Sequence, residues 1–411
     1  MPQRVIWAHR SRIEWSIRGA LAVAATLCGY VSVSHTLGYV MRNQDPVLAH
    51  SLSPGDGRVT AQYAQSLARN PDATPAARRR ADVLALRALI QDPTTVVAAS
   101  ELALDRQIRG DTLGARRLFS YAQRLSRREL QVQIWAIEDA VARGDVADAL
   151  THYDIALRTS FKAHDLLFPI LGTAIADPVV RGELIKTLAK SPAWSEAFVN
   201  YVAVRGNPRA TAQLFSMLRS RSIALPDNAS SALVDGLIFA GLNEEAWQYY
   251  VSTGRGEDRR RSRDPHFSAS LETPSAFDWI LVNDENVTSS IQYADGGGIL
   301  EFSAPPSVGG PLLRQFQLLT PGTYILTGRS GGVDQPVSSR PYWTLTCRAD
   351  GRELGRVEMP NSTHAGGAFR GTFSVPKDCQ AQMLTLVARP SITLAGLTGR
   401  IEQVQLKPEG R

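Results

Sequence analysis

The sequence predicts a multidomain α-plus-β chain: one N-terminal transmembrane helix, a helical-hairpin solenoid and a C-terminal antiparallel β-sandwich. Three observations carry this. Residues 19–41 contain no Asp, Glu, Lys or Arg. Within the Ala-, Leu- and Arg-rich stretch after them, two blocks match each other at an offset of 34 residues. After residue 265 the content of Gly, Pro, Ser and Thr rises, and short alternating apolar runs replace the helical period. At 411 residues the chain has room for two or three domains, each burying its own core.

A hydrocarbon core is crossed by about 20 apolar residues at 1.5 Å rise each, so 19–41 is long enough. Arg4, Arg10, Arg12 and Arg18 precede it against Glu14, whereas Arg42 is followed by Asp45. Basic charge held on the N-terminal side predicts a cytoplasmic tail over 1–18 and export of the chain beyond residue 42. The rival is a cleaved signal peptide with its apolar core over 20–33 and a small-residue exit at Ser32-Val33-Ser34. The long tail and the continuation of the apolar stretch past that exit favour an anchor. Both readings place the bulk in the periplasm, either on a single-pass inner-membrane anchor or secreted after cleavage. A buried soluble helix is the third reading.

The net charge is +6. The tail supplies +3 of it, residues 266–411 supply −1, and two of the remaining four charges sit in the Arg-rich run 255–265. A nucleic-acid binder concentrates basic residues on a folded face with aromatics interleaved, which excludes that class here. Cys28 lies inside the apolar segment, and Cys347 and Cys379 lie 32 residues apart in the β-rich region. With no Cys-x-x-Cys pair and no His at ligand spacing, no metal site is expected. An exported domain permits a Cys347–Cys379 disulfide, although spacing alone leaves two unpaired strand cysteines open.

Over 46–254 the repeat is the informative feature. Arg109-Gly110-Asp111 leads through Ala115, Phe119 and Ala122, and Arg143-Gly144-Asp145 leads through Ala149, Tyr153 and Ala156. Gly-Asp suits a tight turn between antiparallel helices, and the small Ala permits close approach. The aromatic four residues on shares its face and fills the gap to the next hairpin. Weaker copies are Gly206-Asn207 before Ala212 and Phe215, and Gly241-Leu242-Asn243 before Ala246 and Tyr250. The 34-residue period resembles tetratricopeptide repeats. That resemblance implies a scaffold presenting a surface to protein partners. Phe119, Tyr153 and Tyr250 read as core, and Arg78-Arg79-Arg80 as a solvated helix start after Pro75.

The run 255–265 is polar and unpatterned and ends on Pro265, as a linker does. Over 266–411, strands are expected at 277–282, 290–293, 299–302, 312–318, 322–328, 341–348, 351–358, 368–375, 383–389 and 399–406. About ten strands with Asp-Gly and Pro-Gly turns and no helix predict an antiparallel sandwich. Alternation over 341–348 puts Trp343, Leu345 and Cys347 on one face and Tyr342, Thr344 and Thr346 on the other. The turn-strand 319–326, the closing strand 399–406 and Phe277-Asp278-Trp279 resemble galactose-binding and carbohydrate-binding-module jelly-rolls. That resemblance implies a glycan site, for which Tyr342, Trp279, Asp278 and Tyr293 are the candidates by type, although a tryptophan in a sandwich is commonly core. Asp284-Glu285-Asn286 reads as a polar turn.

No phosphate-cradling loop, no Gly-x-Ser-x-Gly elbow and no zinc helix is present. The seven histidines, His9, His35, His50, His152, His164, His266 and His364, are scattered. Gly296-Gly297-Gly298 joins strands and precedes no helix. The expectation is a non-enzymatic envelope scaffold without cofactors in surface or exopolysaccharide assembly. Its solenoid would meet protein partners and its sandwich glycan or protein. A pure protein-assembly scaffold is the alternative, and an enzyme without a recognisable motif the third reading.

Overall fold

A computed structural model describes residues 12–70, 72–284, 286–294, 297–363 and 367–410; Arg4, His9, Arg10, Glu285, Gly296 and His364 lie outside these. The chain divides into two compact units, Met1–Leu167 and Phe168–Arg411.

The first unit opens with α1 (Arg12–Met41), whose stretch Ile13–Met41 is long and apolar enough to cross a membrane. From Ile13 its side chains stay bare to residue 33 apart from half-buried Glu14, and packing begins at Ser34, which is 8% exposed. One turn on, a Cβ at Gly38 would lie 2.8 Å from Cβ of Ser53 at the end of α2 (Pro46–Leu52). The uncharged stretch 19–41 and the unpacked one are therefore offset: the last two turns of α1 belong to the folded unit.

Three hairpins come next: α3 (Gly57–Ala68) with α4 (Pro75–Gln91), α5 (Val96–Ile108) with α6 (Thr112–Leu125), and α7 (Leu130–Ala142) with α8 (Val146–Thr159). Gly110 and Gly144 take φ of +83° and +72°, the left-handed geometry that ends a helix without a Cβ penalty. Asp111 and Asp145 then cap the next helix, their carboxylates accepting from the N–H of Gly114 at 2.9 Å and of Asp148 at 3.0 Å. Ala115 and Ala149, Phe119 and Tyr153, and Ala122 and Ala156 are buried in pairs at the 34-residue offset. The Phe119 ring stacks 4.6 Å from Trp135. Arg78, Arg79 and Arg80 are exposed near the start of α4. The remaining helix, α9 (Lys162–Ala174), spans the division between the units.

The second unit begins with α10 (Pro178–Leu188), α11 (Ser195–Arg205), α12 (Pro208–Ser220), α13 (Asp227–Phe239) and α14 (Asn243–Ser252). At the weaker repeat, the residue five after the glycine is Thr211, fully buried, while the expected Ala212 is half-exposed. The spacing itself is kept, since Thr211 and buried Phe215 stand five and nine residues after Gly206 as Ala115 and Phe119 do after Gly110, although Gly206 has an ordinary φ of −75°. It is there for room: a Cβ would meet the Val202 carbonyl oxygen at 2.6 Å.

The 255–265 segment, expected to be a linker, is instead seated on the sandwich. Ser262 exchanges bonds with Leu406 at 3.0 and 2.8 Å, and Arg263 is 7% exposed. Its guanidinium donates to the carbonyls of Phe277 and Phe316 and to Oε1 of Gln317, and burial pushes its pKa down to about 10. Composition registers the charges of such a run but not the buried acceptors waiting for one of them.

The sandwich is an antiparallel jelly-roll. One sheet has the order β1 (Ile280–Leu281), β4 (Gly310–Gln317), β9 (Gln382–Ala388), β6 (Tyr342–Cys347), β7 (Glu353–Glu358). The other has β2 (Thr288–Ala294), β3 (Gly297–Ala304), β10 (Leu397–Pro408), β5 (Gly322–Gly331), β8 (Gly367–Val375). Trp343, Leu345 and Cys347 face the core, with Leu326, Leu384, Leu386, Ile401 and Val404 among their fellow core residues. Cys347 and Cys379 are joined by a disulfide with a Cα separation of 5.7 Å.

Candidate functional site

The four ligand candidates do not converge. Trp279 is 5% exposed, donates from Nε1 to the Asp264 carbonyl at 2.8 Å, and meets the Trp343 ring edge-on at 5.9 Å. Asp278, 8% exposed, accepts from the Tyr250 hydroxyl at 2.6 Å and from the N–H and hydroxyl of Ser275 at 2.9 and 2.7 Å. It joins α14 to the sandwich, with the Arg255 guanidinium 3.7 Å from the same carboxylate, so its acceptors are taken up mainly within the protein. Burial, and then the Asp278 charge, push the Tyr250 phenol well above its ordinary range. Tyr293 is half-exposed at the end of β2 and donates to the Ala269 carbonyl at 3.1 Å.

Tyr342 does lie on an open surface, the outer face of the β1-β4-β9-β6-β7 sheet. Cross-strand register sets Arg314, Thr385, Thr344 and Arg356 in one row and places Val387, Tyr342 and Glu358 in a parallel one. The Tyr342 ring is flanked by guanidiniums, Arg356 at 4.1 Å and Arg389 at 4.5 Å from its centroid. Each of these cations has its own carboxylate: Arg356 holds Glu353 at 2.8 Å and Arg389 holds Glu358 through both oxygens. Tyr342 is thus partly covered by its own neighbours.

The same face continues, at its β4 side, into an open cleft of about 630 Å³ walled by α11 and α13. Its floor is Arg314, Met383 and Arg348, and its wall carries Asp235, Val204 and Phe239. Phe239 is 89% exposed and Val204 69%. The reason is phase: the buried stripe of α13 is Leu233, Val234, Leu237 and Ile238, so Phe239 falls outside it. Arg348 is held over Phe316 at 5.6 Å. The Asp235 carboxylate accepts the Ala276 N–H at 2.8 Å; crowding by protein raises its pKa, with Asp278 adding to this and Arg314 opposing it.

Phe239, Asp235, Arg314 and Arg348 were not singled out from the sequence. An aromatic one position off the apolar stripe of a helix was the available clue for Phe239. Nothing local distinguishes Arg314 or Arg348, which meet only through the order of the strands. A second groove, about 410 Å³, lies on the other sheet between Thr288, Ser290, Glu301 and Arg400. Its one aromatic, Phe302, is buried, so it offers no ring to stack on.

No family model matches the sequence, and no curated protein matches it. Solved structures similar to part of the chain include one titled "CBM4 structure and function", 12% identical, covering 38% of this chain and 100% of that one with a TM-score of 0.27. Another is the CBM22-1 xylan-binding domain of Paenibacillus barcinonensis Xyn10C, 12% identical over 37% of this chain and 95% of that one, TM-score 0.26. A third is the enzymatically active domain of bacteriophage CBA120 tailspike protein 4, 11% identical, TM-score 0.25. It is matched over 33% of this chain, which spans only 20% of its length.

Proposed function

We propose that the chain is a non-enzymatic envelope protein that binds glycan on the outer face of its β1-β4-β9-β6-β7 sheet, in the cleft under Phe239. In this reading α1 is an inner-membrane anchor with the tail in the cytoplasm, and the hairpins are tetratricopeptide-like modules that hold protein partners of a surface or exopolysaccharide assembly in the periplasm. The observation that carries the glycan reading is Phe239. An aromatic ring left almost wholly in water beside guanidinium and carboxylate groups is the combination that stacks on a sugar's C–H face and bonds its hydroxyls. With exposed Val204 it makes an apolar wall beside the charged floor, a patch and not an isolated side chain.

The test is titration of the full chain in detergent against a panel of envelope polysaccharides, comparing it with Phe239→Ala. Saturable binding weakened about tenfold or more by the variant is expected, the worth of one stacked aromatic at the upper end of its range. A flat response across the panel leaves a pure protein-assembly scaffold.

A further inference from the structure

The charge balance on this face specifies the ligand further, given the glycan reading above. Four guanidiniums lie on it. Two are spent internally, Arg356 on Glu353 and Arg389 on Glu358. The other two, Arg314 and Arg348, are exposed, and neither has a carboxylate within ion-pair distance among the described residues. Both are floor residues of the Phe239 cleft, and the one carboxylate beside them, Asp235, is already engaged with the Ala276 N–H.

Their spacing is fixed by rigid elements. Arg314 pairs with Thr385 of β9, and the N–H of Arg348 donates at 2.9 Å to the carbonyl of Ala381, which immediately precedes β9 and lies four residues before Thr385. With β9 between β4 and β6, the two Cα atoms lie on the order of 16 Å apart by strand rise and spacing. Half-buried Met383 sits between them on the same face. Two cations at that spacing on one floor, with an aromatic on the wall above, suit an extended chain carrying charge at intervals, not a monosaccharide.

We infer that the cleft takes an acidic oligosaccharide, a glycan whose sugar carboxylates are bound by Arg314 and Arg348 while a ring stacks on Phe239. Guanidinium presents two parallel N–H donors that match a carboxylate, whereas a neutral hydroxyl uses only one of them. A neutral glycan would leave Arg348 with no carboxylate partner and Arg314 with only the nearby charge of Asp235.

The test pairs each of several uronate polysaccharides (alginate, polygalacturonate, hyaluronate) with its carboxyl-reduced neutral form, against the full chain in detergent at low and high salt. Polyglutamate serves as a non-glycan polyanion. At least one acidic form is expected to bind more tightly than its reduced partner. Arg314→Gln and Arg348→Gln each weaken that binding about five- to tenfold at low ionic strength, as loss of a charge-assisted hydrogen bond does. The differences shrink at high salt. Both positions are exposed, and an unchanged near-ultraviolet spectrum verifies the fold of each variant.

Equal affinity for acidic and reduced forms, with no effect of either arginine, overturns this inference and leaves glycan binding standing. Polyglutamate binding as tightly as the best glycan overturns it as well. No binding to any polysaccharide overturns both readings together.

Discussion

Asp278 separates a structural reading of the sandwich from a ligand reading most sharply. Its carboxylate satisfies three donors at once, the Tyr250 hydroxyl and the N–H and hydroxyl of Ser275, all within 2.9 Å and all buried. Asp278→Ala removes three charge-assisted bonds and leaves those donors without acceptors. At about 1–1.5 kcal/mol for each orphaned buried donor, the lower half of the usual range, the loss is about 3–5 kcal/mol. That is a large share of a domain's stability. Asp278→Asn keeps the volume but turns an N–H₂ toward one of the donors, for about half the loss. Tyr250→Phe deletes one hydroxyl, for about 1.5–2 kcal/mol, and the double variant Tyr250→Phe with Asp278→Ala costs less than the sum because the two share a bond. The assay is urea dependence of hydrogen exchange in peptides covering 247–281 of the full chain, which reports on this junction without assuming that both units unfold together. The reasoning is refuted if Asp278→Ala costs under about 1 kcal/mol while glycan affinity collapses. The carboxylate would then be serving a ligand.

Three further outcomes rest on local geometry. Gly110→Ala and Gly144→Ala each force a Cβ into left-handed φ with no clash from neighbours, so each should cost about 1 kcal/mol and the two should match; unequal melting shifts would show that the turns are not equivalent. Reducing the Cys347–Cys379 bond releases a 32-residue separation and should lower the urea midpoint of the sandwich by the equivalent of about 2–4 kcal/mol, with Cys347→Ala insensitive to reductant. The Tyr250 phenol, raised above its ordinary pKa of 10.0 in the folded state, contributes stability that is complete below pH 10 and is lost as pH rises from there toward its folded value. Stability measured between pH 9 and 11 should therefore fall less steeply for Tyr250→Phe than for the parent; equal slopes would contradict it.

The sequence read well wherever the role of a position is local. A 34-residue offset carries Gly110 onto Gly144 and Phe119 onto Tyr153 because each hairpin repeats the same turn, cap and gap-filling ring. Alternation put Trp343 and Cys347 inward because a strand has only two faces. What stayed illegible depends on distant partners. Asp278 and Trp279 carry the residue types of a sugar site, and only the tertiary fold reveals that Tyr250, Ser275 and the Asp264 carbonyl already use their polar atoms. Arg263 looked like one more charge in a linker, because its acceptors at 277, 316 and 317 are more than ten residues away in sequence. The cleft itself is assembled from α11, α13, β4, β9 and the residue after β6, segments with no shared local pattern. Ala212 shows the limit from the other side: a degenerate repeat was aligned on the nearest alanine, while the fold uses Thr211 because burial, not residue type, defines the position.

Whether α1 survives as an anchor can be argued from its length. Thirty residues make a rod of about 45 Å, half as long again as the roughly 30 Å hydrocarbon core. The uncharged stretch starts at Gly19 and the packed stretch starts at Ser34, so 19–33 is both uncharged and bare. The remaining depth is available at either end. Arg18, paired with Glu14 at 2.9 Å, can extend toward one headgroup layer, and the turn holding Gly38 can sit at the other. Cleavage after Ser34 would have to unwind a helix whose next turn is fastened to the folded unit, with His35 Nε2 at 3.2 Å from the Asp56 carboxylate and Gly38 against Ser53. The expected outcome is therefore an intact mass that retains residues 1–34, and a chain that stays with membranes through alkaline carbonate. Ala25→Lys, which sets a charge near the middle of the span at a cost of about 2.5–3.5 kcal/mol, should loosen that retention. A mature chain beginning at His35 and recovered in the soluble periplasmic fraction would reject the anchor while leaving the hairpins and the sandwich untouched.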